Sequence, residues 1–152
     1  MIRTATSKDI DEIVRLGNSV GEFQVSDEAV TFWPKQVLID CMKNKEAPIL
    51  VAEENKHIAG FIIANYNPCL KKAIVENIFV KPEYRRKGIG ESLLKAVSKN
   101  LTRLKCEYIC AVVEEDNGAA ANLYIKNGFD KGINCVWLDR IIGKSFKTKQ
   151  KR

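Results

Sequence analysis

The 152-residue sequence predicts one mixed α/β domain of order β-α-α-β-β-β-α-β-α-β, and three observations carry that prediction. Apolar residues recur at helical spacing early and late in the chain, whereas from residue 49 onward the period becomes that of strands broken by short polar turns. One of those strands is followed by an amphipathic helix and another apolar strand, the pattern of a parallel crossover. With 45% hydrophobic residues and four prolines, the chain is long enough to bury a core, and only its last nine residues are of biased composition.

Residues 2–5 read as a short strand. Thr6 or Ser7 can cap a first helix whose Ile10, Ile13, Val14 and Leu16 share a face, ending near Gly21. Ser26-Asp27-Glu28 is a second N-cap signature, Pro34 interrupts, and Val37, Leu38, Cys41 and Met42 line a further helical stretch. ILVAEE, a turn at Asn55-Lys56 and HIAGFIIANY form a hairpin, and residues 73–80 add a third strand after the Asn67-Pro68 loop, making an antiparallel meander. Ile89, Leu93, Leu94 and Val97 give residues 88–100 one apolar face, so that helix packs on the sheet. EYICAVV (107–113) reads as a buried strand. Residues 117–127 are helical with Ala119, Ala120 and Ala121 inward, and Gly128 is placed to end that helix in a left-handed conformation. A last strand falls within residues 133–142.

Net charge is +6, but Lys144, Lys147, Lys149, Lys151 and Arg152 carry five positive charges with no acid among them, so residues 1–143 hold only +1. The expected organisation is a single domain over 1–143 with a basic, solvated tail over 144–152. Without a stacking platform or basic recognition helix, that charge does not indicate a specific nucleic-acid partner. Five cysteines without a C-x-x-C, and His57 as the one histidine, lack metal-ligand spacing. They are expected to be reduced and mostly buried, with no metal bound. The first residues lack an apolar signal region and no stretch is long enough to span a bilayer, so a cytoplasmic protein without membrane partner is expected.

The stretch FVKPEYRRKGIGESLL (79–94) sets Arg85, Arg86 and Lys87 before Gly88-Ile89-Gly90 at the start of a helix. Helix-start amides and the positive end of the dipole suit an anion, and the glycines allow close backbone approach, so a phosphate is the expected ligand. A Walker A loop is absent, and the dinucleotide fingerprint fails because Leu93 stands where a third glycine would be.

The run Arg85-x-x-Gly88-x-Gly90 resembles the acetyl-CoA pyrophosphate loop of the GCN5-related N-acetyltransferase (GNAT) superfamily. The preceding Ile78, Phe79, Val80 and Pro82 are similar to that family's strand end, and Asn117, Ala119, Ala120, Leu123, Tyr124, Gly128 and Phe129 to its later helix. Element order also agrees, so the resemblance spans residues 1 to about 142. VENIFVKPEYRRKGIG looks most like diamine and polyamine acetyltransferases, which have an acid at the position of Glu76. Protein N-terminal acetyltransferases tend to carry a glutamate on the next strand, where this chain has Val112.

The resemblance implies acetyl transfer from acetyl-CoA to a primary amine by direct attack, the acceptor being a small polyamine-like molecule or a protein amine. Glu76 is the implied base, or else a solvent-facing strand residue. With an ordinary pKa near ~4.3 against ~10 for an alkyl amine, it could act only if burial raises it or water relays the proton. Tyr124 is the implied acid for the departing thiolate, or else a capping aromatic over the sheet, and backbone amides of Ile78, Phe79 and Val80 would meet the thioester carbonyl. Arg85, Arg86, Lys87, Gly88, Ile89, Gly90 and Glu91 would hold the pyrophosphate, unless the three cations are a solvated charge run; Asn117 would bond the pantetheine arm, cap the helix or both, and Ala120 and Tyr124 would also contact the coenzyme. Glu114, Glu115 and Asp116 either attract a cationic amine or form an exposed acidic loop. A homodimer and a non-catalytic acyl-CoA-binding regulator are kept open.

Overall fold

A computed structural model of the chain describes residues 1–23, 32–44, 47–136 and 138. Strands β1 (Ile2–Thr4), β2 (Ile49–Glu54), β3 (His57–Asn67), β4 (Lys72–Val80) and β5 (Tyr108–Ala111) form one sheet in spatial order 1-2-3-4-5. The first four pair antiparallel and β4 pairs parallel with β5. Asn55 and Lys56 both take positive φ, 48° and 66°, which is the twist a two-residue hairpin loop needs.

Alternation along the strands sorts side chains into two cores. Ile49, Val51, Phe61 and Ile63 face helices α1 (Ile10–Asn18) and α2 (Lys35–Asn44), meeting Ile10, Ile13, Leu16 and Leu38. Leu50, Ala52, Ile62 and Ala64 face the other way, where Leu93, Leu94, Val97 and Leu101 of α3 (Ile89–Arg103) and Tyr124 of α4 (Gly118–Lys126) cover them. Helix α1 has Asp11 and Glu12 in its first turn and Arg15 in its last, complementing its dipole. Its start is held differently from the expected Thr6 or Ser7 cap. Asp9 is the N-cap residue, and its carboxylate accepts the Thr6 amide at 2.6 Å, the Thr6 hydroxyl at 2.8 Å and the Arg3 guanidinium at 2.8 and 2.9 Å.

Several expectations are corrected. The strand expected over 107–113 is four residues long and not buried, with Tyr108 59% and Val112 69% exposed. Val37 and Ala119 face solvent, whereas Leu38 on α2 and the ring of Tyr124 on α4 are buried. The thiols are not buried: Cys69 and Cys135 are exposed and the other three half-buried. Residues 133–136 and Leu138 carry no strand. The rest of the segment expected as a last strand, the cap signature at 26–28 and the tail at 144–152 lie outside the described residues.

Candidate active site

Strand β4 builds the site through one irregularity. Its register with β3 is regular from Gly60↔Val80 to Ile63↔Asn77, then resumes at Ala64↔Val75, leaving Glu76 without a partner. Such a bulge bends the strand. The parallel ladder to β5 ends at the same point, with Val75↔Ala111 as its last pair, so β4 continues to Val80 with no strand beside it on that edge among the described residues. The Lys81 amide donates to the Ala59 carbonyl at 2.9 Å. Antiparallel alternation therefore turns the Phe79 and Asn77 amides toward β3 and leaves those of Ile78 and Val80 on the opened edge. Of Ile78, Phe79 and Val80, the first and last thus turn their amides to this edge and Phe79 turns its amide to β3.

The bulge also places Glu76 and Asn77 on the α1/α2 face, where Asn77 Oδ1 accepts the Trp33 indole N–H at 2.8 Å. Partial burial raises the Glu76 carboxyl above its usual range, and hydrogen bonding with Asn65 works the other way. Glu76 keeps more than a third of its surface exposed, so the shift is one of incomplete desolvation. Trp33, Asn65 and Asn77 were not legible as site residues. Asn65 interrupts an apolar strand, a signal that could have been read, while Trp33 carries none.

Beyond β4 the chain turns through Pro82–Tyr84 into α3. Arg86 at φ 62° and Gly88 at φ 75° take left-handed conformations, and Gly88 caps α3 without a side-chain bond. The first helical bond is from Ser92 to the Gly88 carbonyl, 3.0 Å. Among the described residues the backbone amides of 86–91 have no partner, which makes a concave run of donors at the positive end of a 15-residue helix. The three cations differ: Arg85 Nε donates to the Val80 carbonyl at 2.9 Å, Lys87 lies over the Tyr84 ring at 5.3 Å, and Arg86 is exposed.

Helix α4 begins at Asn117, whose Oδ1 accepts the Ala120 amide at 3.1 Å, so this side chain caps the helix. One face of α4 brings Tyr124 against the α3/α4 core with its ring buried. Burial pushes its phenol up to about 12. No described group bonds its hydroxyl, and no buried side-chain oxygen among the described residues lacks a partner, so the hydroxyl reaches the surface while the ring does not. Glu114, Glu115 and Asp116 are exposed beyond β5, without pairs among the described residues. No described group of three or more His, Cys, Asp or Glu could hold a metal ion, and no described helix is long and apolar enough to cross a membrane.

The sequence pattern of the Acetyltransferase (GNAT) family matches residues 13–129. An N-alpha-acetyltransferase of Sulfurisphaera tokodaii is 30% identical over 139 residues, covering 84% of this chain and 78% of that protein. The uncharacterized N-acetyltransferase YhfO of Bacillus subtilis is 31% identical over 143 residues, covering 89% of this chain and 93% of that protein. Among solved structures, the PaiA N-acetyltransferase of Thermoplasma acidophilum in complex with coenzyme A has the same fold, with a TM-score of 0.70 at 23% identity over 86% of this chain and 89% of that one. The chain belongs to the GNAT acetyltransferase family. It is accordingly an acetyl-CoA-dependent N-acetyltransferase.

Proposed function

We propose that the protein acetylates a primary amine of a small diamine- or polyamine-like acceptor, with both substrates meeting where β4 parts from β5. The observation that carries this reading is the bulge at Glu76, which sets a partly desolvated carboxyl beside strand amides left unpaired by the splay.

Acetyl-CoA supplies the activated acetyl group. The free amides at 86–91 suit its pyrophosphate, with Arg86 and the remaining N–H groups of Arg85 beside them. The Ile78 and Val80 amides would stabilise charge growing on the carbonyl oxygen as the amine nitrogen bonds to carbon. Glu76, directly or through water, takes the proton that the nitrogen loses. As the carbon–sulfur bond breaks, Tyr124 gives its proton to sulfur; the raised pKa keeps the phenol protonated until that moment. The Trp33 indole, fixed by Asn77, stands on the same face as Glu76 and suits the alkyl part of an amine.

A second reading, acetylation of a protein α-amino group, is favoured by the S. tokodaii relative's name. A panel of diamines, polyamines, lysine peptides and free-N-terminus peptides with acetyl-CoA, read as free CoA released, separates them. Turnover confined to peptides with a free α-amino group would replace the first reading by the second.

A further inference from the structure

Beyond the bulge, β4 has a strand on one side only among the described residues, and alternation puts Asn77, Phe79 and Lys81 on the α1/α2 face. Each is held there. Asn77 accepts the Trp33 indole N–H at 2.8 Å, the Phe79 ring lies 5.7 Å from that of fully buried Phe61, and Lys81 Nζ donates to Glu12 Oε1 at 3.1 Å. The last of these contacts joins the end of β4 to the first turn of α1, 69 residues away in the chain. It is sheltered, since the Lys81 side chain is 18% exposed.

Lys81 stands where the sheet ends and the glycine turn begins. Its amide donates to the Ala59 carbonyl and its own carbonyl accepts the Tyr84 amide, both at 2.9 Å, while Arg85 Nε donates to the Val80 carbonyl just before it. Glu12 is a fixed anchor. Arg15 donates to both of its carboxylate oxygens at 2.7 Å, Ile10 and Ile13 on the same helix are fully buried, and Asp9 at the helix start is paired with Arg3 of β1. Arg15 above all, with Lys81, holds the Glu12 carboxyl at about 2 against an ordinary 4.5, so it stays ionised wherever an enzyme assay is run.

We propose that Glu12 and Lys81 are positioning residues for acetyl transfer: the pair pins the half-paired end of β4 to α1 and so fixes the aim of the Ile78 and Val80 amides on the opened edge. The inference rests on the reading of those amides as partners of the thioester carbonyl, and it names what holds them in place. A strand end without a second ladder has no neighbour on that side to set its twist, and hydrogen-bond donors stabilise developing charge only when they are already in position. A displacement of about 1 Å far from the reacting atoms can cost roughly 10² in rate. A partly exposed ion pair adds little to folding stability, so the worth of this one lies in geometry.

Steady-state rates of the full chain with acetyl-CoA and the panel amine of highest turnover, taken between about pH 6 and 9 where amines begin to titrate and Glu12 does not, test the assignment. Glu12→Gln and Lys81→Met should each lower kcat by roughly 10–10²-fold, and Lys81→Arg should keep most of the wild-type rate. Acetyl-CoA affinity by calorimetry should be unchanged, because the 86–91 amides lie past the Pro82–Tyr84 turn. The double variant should be no slower than the slower single one, since either change alone releases the strand end. The loss should be the same factor at every pH, whereas that of Glu76→Gln should shrink as the amine becomes neutral. Wild-type kcat in both single variants, losses that multiply in the double variant, or a loss confined to acetyl-CoA affinity overturns the positioning role. If Glu76→Gln and Tyr124→Phe are nonetheless slowed, the reading of the site stands without it. Wild-type kcat in those two variants as well, or no turnover of any panel amine, overturns both.

Discussion

Tyr124 and Phe129 lock the end of α4 onto itself. The Phe129 amide donates to the Tyr124 carbonyl at 3.1 Å, the Gly128 amide donates to Ile125 at 3.1 Å, and the two rings meet edge-to-face with centroids 5.1 Å apart. With Gly128 at φ 86°, this is a Schellman cap complete with its apolar contact. The cap therefore holds the ring of the proposed acid without using its hydroxyl.

Tyr124→Phe should lower kcat by roughly 10²–10⁴ while leaving the melting temperature nearly unchanged, because ring, cap and core contacts all survive. Phe129→Ala should do the reverse first: removing a partly exposed ring from the cap should cost about 1–3 kcal/mol, read in a denaturant melt. A Tyr124→Phe enzyme with undiminished kcat would make the ring purely structural.

Glu76→Gln should also lower kcat by roughly 10²–10⁴, and what activity remains should climb with pH as more acceptor amine becomes neutral. Stability should move oppositely. A carboxyl raised above its unfolded value of 4.5 binds its proton more tightly in the folded state, so folding stability falls as pH rises between that value and the raised one. The Gln variant escapes this loss and should melt slightly higher at pH 7–8, with the difference vanishing near pH 4.

Gly88→Asp should weaken CoA by at least about tenfold, through a carboxylate beside phosphates and a side chain at φ 75°, where most residues lose about 1–2 kcal/mol. Gly88→Asn tolerates that conformation better and adds no charge, so it should retain more affinity than Gly88→Asp. Titration calorimetry giving wild-type affinity for a folded Gly88→Asp protein would move the anion elsewhere.

Asp9→Asn should destabilise the fold by about 2–3 kcal/mol, since the half-buried Arg3 guanidinium would keep only Glu53, at 2.7 Å, as an opposite charge. Arg3 and the Thr6 groups hold the Asp9 carboxyl at about 2 against an ordinary 3.8. That stability is present above 3.8 and lost as pH falls through about 2, so the two proteins should converge in acid melts below that pH.

Strong local signals made most of the architecture readable. The 3.6-residue period of α1 and α3, the two-residue hairpin turn and the Gly128 stop each depend on neighbours a few residues apart, and each stands where expected. The glycine turn was legible for the same reason, since Gly-x-Gly at a helix start needs no distant contact to leave its amides free.

The face of β4 was not legible. Strict alternation from Ala73 and Val75 would carry Asn77 and Phe79 into the α3/α4 core; the bulge at Glu76 sends Ile78 and Val80 there instead. Nothing within residues 72–80 marks that extra residue, because it follows from fitting β4 against β3 on one edge while leaving β5 on the other. The same divergence shortens β5, stranding Val112 in solvent, and leaves the Ile78 and Val80 amides on an open strand edge while Glu76 and the Trp33-bound Asn77 lie on the α1/α2 face. Residue types suited to acyl transfer can be read along a chain, but their convergence is a property of strand register, which exists only between segments far apart in sequence.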